Sequence, residues 1–272
     1  MLIRAGYRIG IQCVQPTPLV TMLAVRDDEL GVPLLRETRV STPLVPVSHY
    51  RDSAGNRCQR LMAPAGLLVL EGDTVVQDNG LPDAYVPTAI EMPVADLPPD
   101  CLVYLLGSRY CETDRMSQFA WDRFGGLQPG WGRVQAICDF VNDHIRFDYM
   151  QASAFRTALG ALEQGVGVCR DYTHLAIALC RCLNIPARYV NGHLSDIGLS
   201  LVLPMDFSAW MEVYLSGAWH VFDPRNNSRR IGRIVIARGR DAADVPLINS
   251  FGPHTLEEFT VWADEVAATA MV

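Results

Sequence analysis

The hydrophobic pattern of this 272-residue chain changes period near residue 100 and changes back after Pro186. Before the first of these points the apolar residues alternate or form short runs, at 7–14, 19–25, 57–62, 66–70 and 74–77. Runs of this length between turn residues read as strands. Asp52-Ser53-Ala54-Gly55-Asn56 and Asp78-Asn79-Gly80 mark the turns. Closely spaced strands with polar turns predict a small antiparallel sandwich. A stretch holding Pro87, Pro93, Pro98 and Pro99 follows and reads as a linker or strap. Beyond it, Val134, Ile137, Cys138, Val141 and Ile145 recur at the spacing of an amphipathic helix. Residues 116–124 and 155–162 predict two more helices. Gly165-Val166-Gly167-Val168 then breaks the chain, and a largely apolar helix runs from Cys169 to Asn184-Ile185-Pro186. Strands are expected at 188–192, 207–215, 219–222 and 231–236, with Ser216-Gly217 as a hairpin turn. The expected class is α+β: a β-sandwich domain over 1–98, then helices packed on an antiparallel sheet over 99–272 with a C-terminal extension.

Composition narrows the function classes. A net charge of −7 and a pI near 5.3 disfavour a nucleic-acid binder, which needs a Lys/Arg surplus to meet phosphates. The local cluster of Arg225, Arg229, Arg230, Arg233, Arg238 and Arg240 is followed by Asp241 and Asp244, and reads as a solvated face. No apolar run approaches the roughly 18 residues of a membrane span, and the first residues carry no apolar leader, so a cytoplasmic protein without membrane contact is expected. Eight cysteines in an unsignalled, core-rich chain are expected to be free thiols. With no Cys-x-x-Cys pair, no metal or other cofactor is expected.

The segment Gly167-Val168-Cys169-Arg170-Asp171 carries the chemistry. A cysteine at a helix start meets unsatisfied N–H groups that favour a thiolate and can hold an oxyanion. Gly167 allows substrate to approach the backbone, and Asp171 is placed to cap the first turn. The bland alternative is a cysteine simply buried in a helix, like Cys180 and Cys182.

Three pieces in order sharpen the reading. They are Gly-Val-Cys-Arg-Asp-Tyr at 167–172 with Leu-Asn-Ile-Pro-Ala-Arg-Tyr-Val at 183–190, Asp-Phe-Ser-Ala-Trp-Met-Glu-Val at 206–213, and Trp-His-Val-Phe-Asp-Pro at 219–224. Together they resemble the transglutaminase-like superfamily, a papain-like fold with a Cys-His-Asp triad, over residues 130 to 240. The strand-rich first half looks like the β domain preceding this core in bacterial members. The resemblance implies Cys169 as nucleophile, Asp223 as the triad carboxylate, and Trp210 packed beside the site. It implies peptide, amide or small acyl substrates and a peptidase, amidase or transglutaminase-like acyl transfer.

The family's His-Ala-Trp-x-Glu reads Ser208-Ala209-Trp210-Met211-Glu212 here. A serine hydroxyl cannot take a proton near neutral pH as imidazole does. Four readings stand: another histidine substitutes, a thiolate and oxyanion hole suffice, the site binds without turning over, or Ser208 is an introduced change. His174 lies about 140° around the helix from Cys169 and points elsewhere. His220 and Asp223 fall on opposite strand faces. His193, expected at the rim, is the favoured substitute. Glu212 is expected to pair with Arg188 or Arg170, Asp206 to mark a turn, and residues 194–205 to form a rim loop. The runner-up function is a binding or scaffold protein that retains the fold.

Overall fold

Strand β1 (Leu2–Cys13) places Ile3, Ala5, Tyr7, Ile9, Ile11 and Cys13 on one face, all buried, and Arg4 and Arg8 on the other. That period of two fixes which face meets the core. The computed structural model describes residues 1–27, 33–199 and 205–267. The first part continues through β2 (Thr17–Thr21), β3 (Leu34–Thr42), β4 (Val47–Arg51), β5 (Arg57–Ala63) and β6 (Gly66–Gln77). Runs 66–70 and 74–77, expected as two strands, are one. Gly72 looks like a turn residue but lies opposite Tyr7, where a Cβ would stand 2.4 Å from the Tyr7 ring. It is a glycine because an aromatic ring crosses it.

The second part holds α1 (Thr113–Phe124), α2 (Trp131–His144), β7 (Arg146–Phe147), α3 (Ala158–Gln164), β8 (Val166–Gly167) and α4 (Cys169–Cys182). It then runs through β9 (Ala187–Leu194), β10 (Ser208–Leu215), β11 (Ala218–Phe222), β12 (Arg233–Gly239), β13 (Ile248–Ser250) and β14 (His254–Val266). The expected helix 155–162 begins later, at Ala158, because the Thr157 hydroxyl caps it by accepting from Gly160 N–H, and Phe155 is left exposed. The expected strand 231–236 starts after Gly232, whose φ of +78° interrupts extended backbone.

Antiparallel sheets and helices give the α+β class that the sequence predicts. One sheet has the order β14-β1-β6-β3, a second β13-β2-β5-β4, and the third β11-β10-β9-β12. Sheet pairing crosses the expected division at residue 98: β14 pairs with β1 along its length, and β13 pairs with β2. The apolar core is continuous as well, since Tyr7, Ile9 and Leu61 belong to the same buried cluster as Leu175, Leu179 and Met211. No helix among the described residues is long and apolar enough to cross a membrane.

Helix α4 is the hub of the second part. Every residue from Asp171 to Cys182 is buried, with β9 and β10 on one side and α1, α2 and α3 on the others. On the far face of the sheet Trp210, with no exposed surface, packs against Val190 and Val235. On the same face Glu212 accepts from Arg188 Nε at 2.7 Å and from Arg238 Nε and Nη2 at 2.8 Å. Burial alone would raise the Glu212 carboxyl, but the hydrogen bonds and charges of Arg238 and Arg188 outweigh it and hold it below its ordinary value. This carboxylate is the shared counter-charge of two nearly buried cations. Glu212→Gln is therefore expected to destabilise the fold by about 3–5 kcal/mol in urea unfolding. Because the folded-state value is depressed, the contribution is present above the unfolded value of 4.5 and is lost as pH falls through the folded one. A Gln variant as stable as the parent at pH 7 would contradict this role.

Candidate active site

Helix α4 begins where β8 ends, and that junction is set by Asp171. Its Oδ2 accepts from Val168 N–H at 2.9 Å and from the buried Arg156 Nη1 at 3.1 Å. The carboxylate thus ties down the residue before the helix. Gly167 sits over it: a Cβ there would lie 2.6 Å from the Asp171 side chain. Gly167 pairs with Phe147 in the β7–β8 ladder, and its carbonyl accepts from Asp148 N–H at 3.0 Å. The missing side chain makes room for Asp171, and Gly167 lines neither cavity described next.

Cys169, the first residue of α4, is partly buried and opens on two cavities. One, of about 240 Å³, is walled by Phe147, Tyr149, Asp196, Arg225 and Arg230. The other, of about 870 Å³, is walled by Arg109, Tyr110, Ser153, Tyr189, Asn191 and Leu247. Cys169, Asp206, Phe207 and Ser208 line both. Ser208 is the first residue of β10, opposite Gly192 of β9, so the strand end carries it to the cleft. Cys169 and Ser208 therefore line the same two cavities.

The other expected residues lie elsewhere. Trp210 is buried behind the sheet, under the Arg233 guanidinium. Asp223 is 6% exposed and fully engaged: Oδ1 accepts from Arg225 and Asn226 N–H, and Oδ2 from Asn226 Nδ2 at 2.7 Å and Arg233 Nη2 at 2.9 Å. It shapes the turn after β11 and holds no imidazole. His193 is not at the rim. It is 2% exposed, packs its ring on Phe207 at 5.0 Å, and is pushed down to about 3 by burial. It stays neutral at physiological pH. His174 is buried, stacked on Tyr110, and accepts from Ala242 N–H through Nε2. His220 lies against Trp131, away from Asp223. No histidine among the described residues lines either cavity.

Two residues passed over in the sequence do line it. Asp206, expected only to mark a turn, lines both cavities with Cys169, and its charge acts on the thiol. Burial raises that carboxyl above its ordinary value, against the pull of Phe207 N–H and Arg225. Arg225 belongs to a cluster expected to be a solvated face. Instead Arg230 pairs with Asp196, Arg233 with Asp83 and Asp223, and Arg238 with Glu212, all with little exposed side chain. Only contacts distant in sequence distinguish these arginines from surface ones. Of the expected rim loop, residues 200–204 lie outside the described residues; Asp196 and Met205 line the smaller cavity.

The thiol does not follow the helix-terminus expectation. Burial first, and then the Asp206 charge, push Cys169 up to about 11, although Arg225 and the N–H groups of Ala209 and Arg170 favour the thiolate. At pH 7 roughly one molecule in 10⁴ carries the thiolate at rest. The geometry offers a protonated sulfur, two backbone donors aimed at it, a carboxylate and a hydroxyl in one cleft.

Residues 119–224 match the model of the transglutaminase-like superfamily. The crystal structure titled "Putative Cysteine Protease" from Cytophaga hutchinsonii is 27% identical and superposes with a TM-score of 0.86 over 98% of this chain and 91% of that one. An uncharacterized protein of Mycobacterium leprae is 31% identical over 106 residues, covering 37% of this chain and 38% of that protein. One from Mycobacterium tuberculosis is 38% identical over 148 residues, covering 49% and 46%. The chain thus spans less than half the length of the curated relatives it matches. Residues 119–224 thus carry a transglutaminase-like core, and the fold of the whole chain is similar to that of the Cytophaga hutchinsonii protein.

Proposed function

We propose that this protein is a cysteine-dependent acyl-transfer or amide-hydrolysing enzyme in which Cys169 is the nucleophile and the cleft carboxylate of Asp206 takes the place of the family's imidazole. The observation that carries this is the sulfur at the start of α4, facing the N–H groups of Arg170 and Ala209 and open to a cavity on either side. An acyl group lying across the cleft puts its carbonyl carbon at Sγ and its oxygen toward those N–H groups, an oxyanion hole. As the C–S bond forms, the thiol proton passes to Asp206 and from there to the departing amine. Water or an acceptor amine then resolves the thioester. Ser208 donates to or accepts from the reacting groups but supplies no base. Asp223 acts at one remove, by holding the 223–227 turn that carries Arg225. Trp210 and His193 support the walls.

A second reading has its own support: with no imidazole at the cleft and the thiol near 11, the fold also suits a protein that binds an acyl or peptide ligand without turning it over. Peptide, amide or small acyl ligands fit either reading.

Two measurements separate them. Alkylation of Cys169 by iodoacetamide is expected to rise about tenfold per pH unit toward a midpoint near 11. Asp206→Asn removes a charge that opposes the thiolate, so alkylation at pH 8 is expected to become faster. If Asp206 is the base, the same variant acylates from an activated thioester about 10²-fold or more slowly. Faster alkylation with unchanged acylation would remove Asp206 as the base. Ser208→His places an imidazole at the family position. It is expected to raise thioester hydrolysis about 10²-fold, with a new dependence on pH near 6.5. If neither parent nor variant forms a Cys169 thioester detectable by mass spectrometry while ligand still binds, the binding reading holds.

A further inference from the structure

The smaller cavity differs from the larger in size and charge. Ligand pockets for whole small molecules span about 300–1,000 Å³. At about 240 Å³ the smaller cavity falls below that range, whereas the larger, at about 870 Å³, lies well within it. Arg225 stands on the wall of the smaller one. Its backbone N–H donates to Asp223 Oδ1, and its carbonyl accepts from Asn142 Nδ2 at 2.7 Å, so the turn is pinned to α2. The guanidinium lies 4.3 Å above the Phe147 ring, and Nη1 donates to Asn226 Oδ1 at 2.9 Å. Neighbouring Arg230 and Arg233 have carboxylate partners at 2.7 and 2.9 Å, but Arg225 has none among the described residues. Asp206, beside the thiol in the same cavity, likewise has no ion-pair partner among the described residues. A held cation and a carboxylate thus share one small cavity, with the sulfur at its edge.

We infer that the smaller cavity is the amine-side subsite of the cleft and takes one terminal amino acid with a free carboxylate, bound by Arg225, its nitrogen lying next to Cys169 and Asp206. A guanidinium held over an aromatic ring keeps its remaining N–H donors free to bind a carboxylate. The acyl portion occupies the larger cavity. This rests on the acyl-transfer reading for its chemistry but not for its recognition. In the reaction the C–N bond before the last residue breaks, Cys169 Sγ takes the acyl group, and the thiol proton ends on the departing amine. Water then cleaves the thioester and restores the thiol. The substrate class is peptides or N-acyl amino acids, and the product an amino acid released from the carboxyl end.

Binding is tested without turnover, in Cys169→Ala protein. An N-acetylated tripeptide library with free carboxyl ends is compared with the same library as terminal amides, by affinity selection and mass spectrometry. Free acids are expected to be retained about tenfold better. Arg225→Gln is expected to abolish that preference and Arg225→Lys to keep part of it, with the unfolding midpoints of both variants confirming that they fold. Equal retention of acids and amides, retention of neither, or a preference that survives in folded Arg225→Gln protein would each overturn the inference. A second probe is the native thiol. Cys169 is expected to react faster with iodoacetate, relative to iodoacetamide, in the parent than in Arg225→Gln protein; an unchanged ratio overturns it. If the acid preference and its loss are found but no thioester ever forms, the catalytic reading fails and the subsite stands.

Discussion

The buried carboxylate of Asp171 is the contact on which the cleft depends. It caps Val168 N–H, pairs with Arg156, and fits beneath a glycine at 167. Arg156 in turn donates to the Gln151 carbonyl and to Gln164 Oε1. One interior ion pair therefore fixes the first turn of α4, the β7–β8 ladder and the 148–157 segment that walls the cavities. Removing one partner of such a pair leaves an uncompensated charge, which costs about 3–5 kcal/mol. The position of the Cys169 sulfur follows from this anchor.

Around that sulfur, two physical effects compete. The start of a helix favours an anion, within about one turn and by a modest amount. Burial disfavours any charge there, and a neighbouring carboxylate adds to the penalty. Here burial and Asp206 prevail, and the resting thiol is protonated. Such a nucleophile has to lose its proton as it attacks, which makes the identity of the base more important than in a thiolate–imidazolium pair.

The Arg225 turn shows how the same framework residue can be reused. Asp223, the residue matching the family's triad aspartate, spends its oxygens on two backbone N–H groups, an amide and Arg233. With no imidazole to orient, it organises a turn that puts a cation into the cleft.

The order of elements was legible in the chain itself, because hydrophobic period is a local property: β strands first, the apolar helix after Cys169, and strands beyond Pro186 all follow from it. So was the likeness of the Cys169, Ala-Trp-x-Glu and Asp-Pro segments to one superfamily. The runs 66–70 and 74–77 read as two strands because the reason they join lies across the sheet, where Gly72 makes room for the Tyr7 ring. His193 was misplaced because a strand end reads the same whether it meets solvent or is covered by Phe207. The arginines of 225–240 looked solvated because their partners, Asp83, Asp196 and Glu212, are distant in sequence or lie on other strands. By itself, the sequence determined the α+β class, the nucleophile candidate and the absence of histidine from position 208. Only the tertiary structure decided which carboxylate meets the thiol, which arginine faces the cleft, and that burial outweighs the helix terminus, since each depends on distances between segments that the chain does not encode locally.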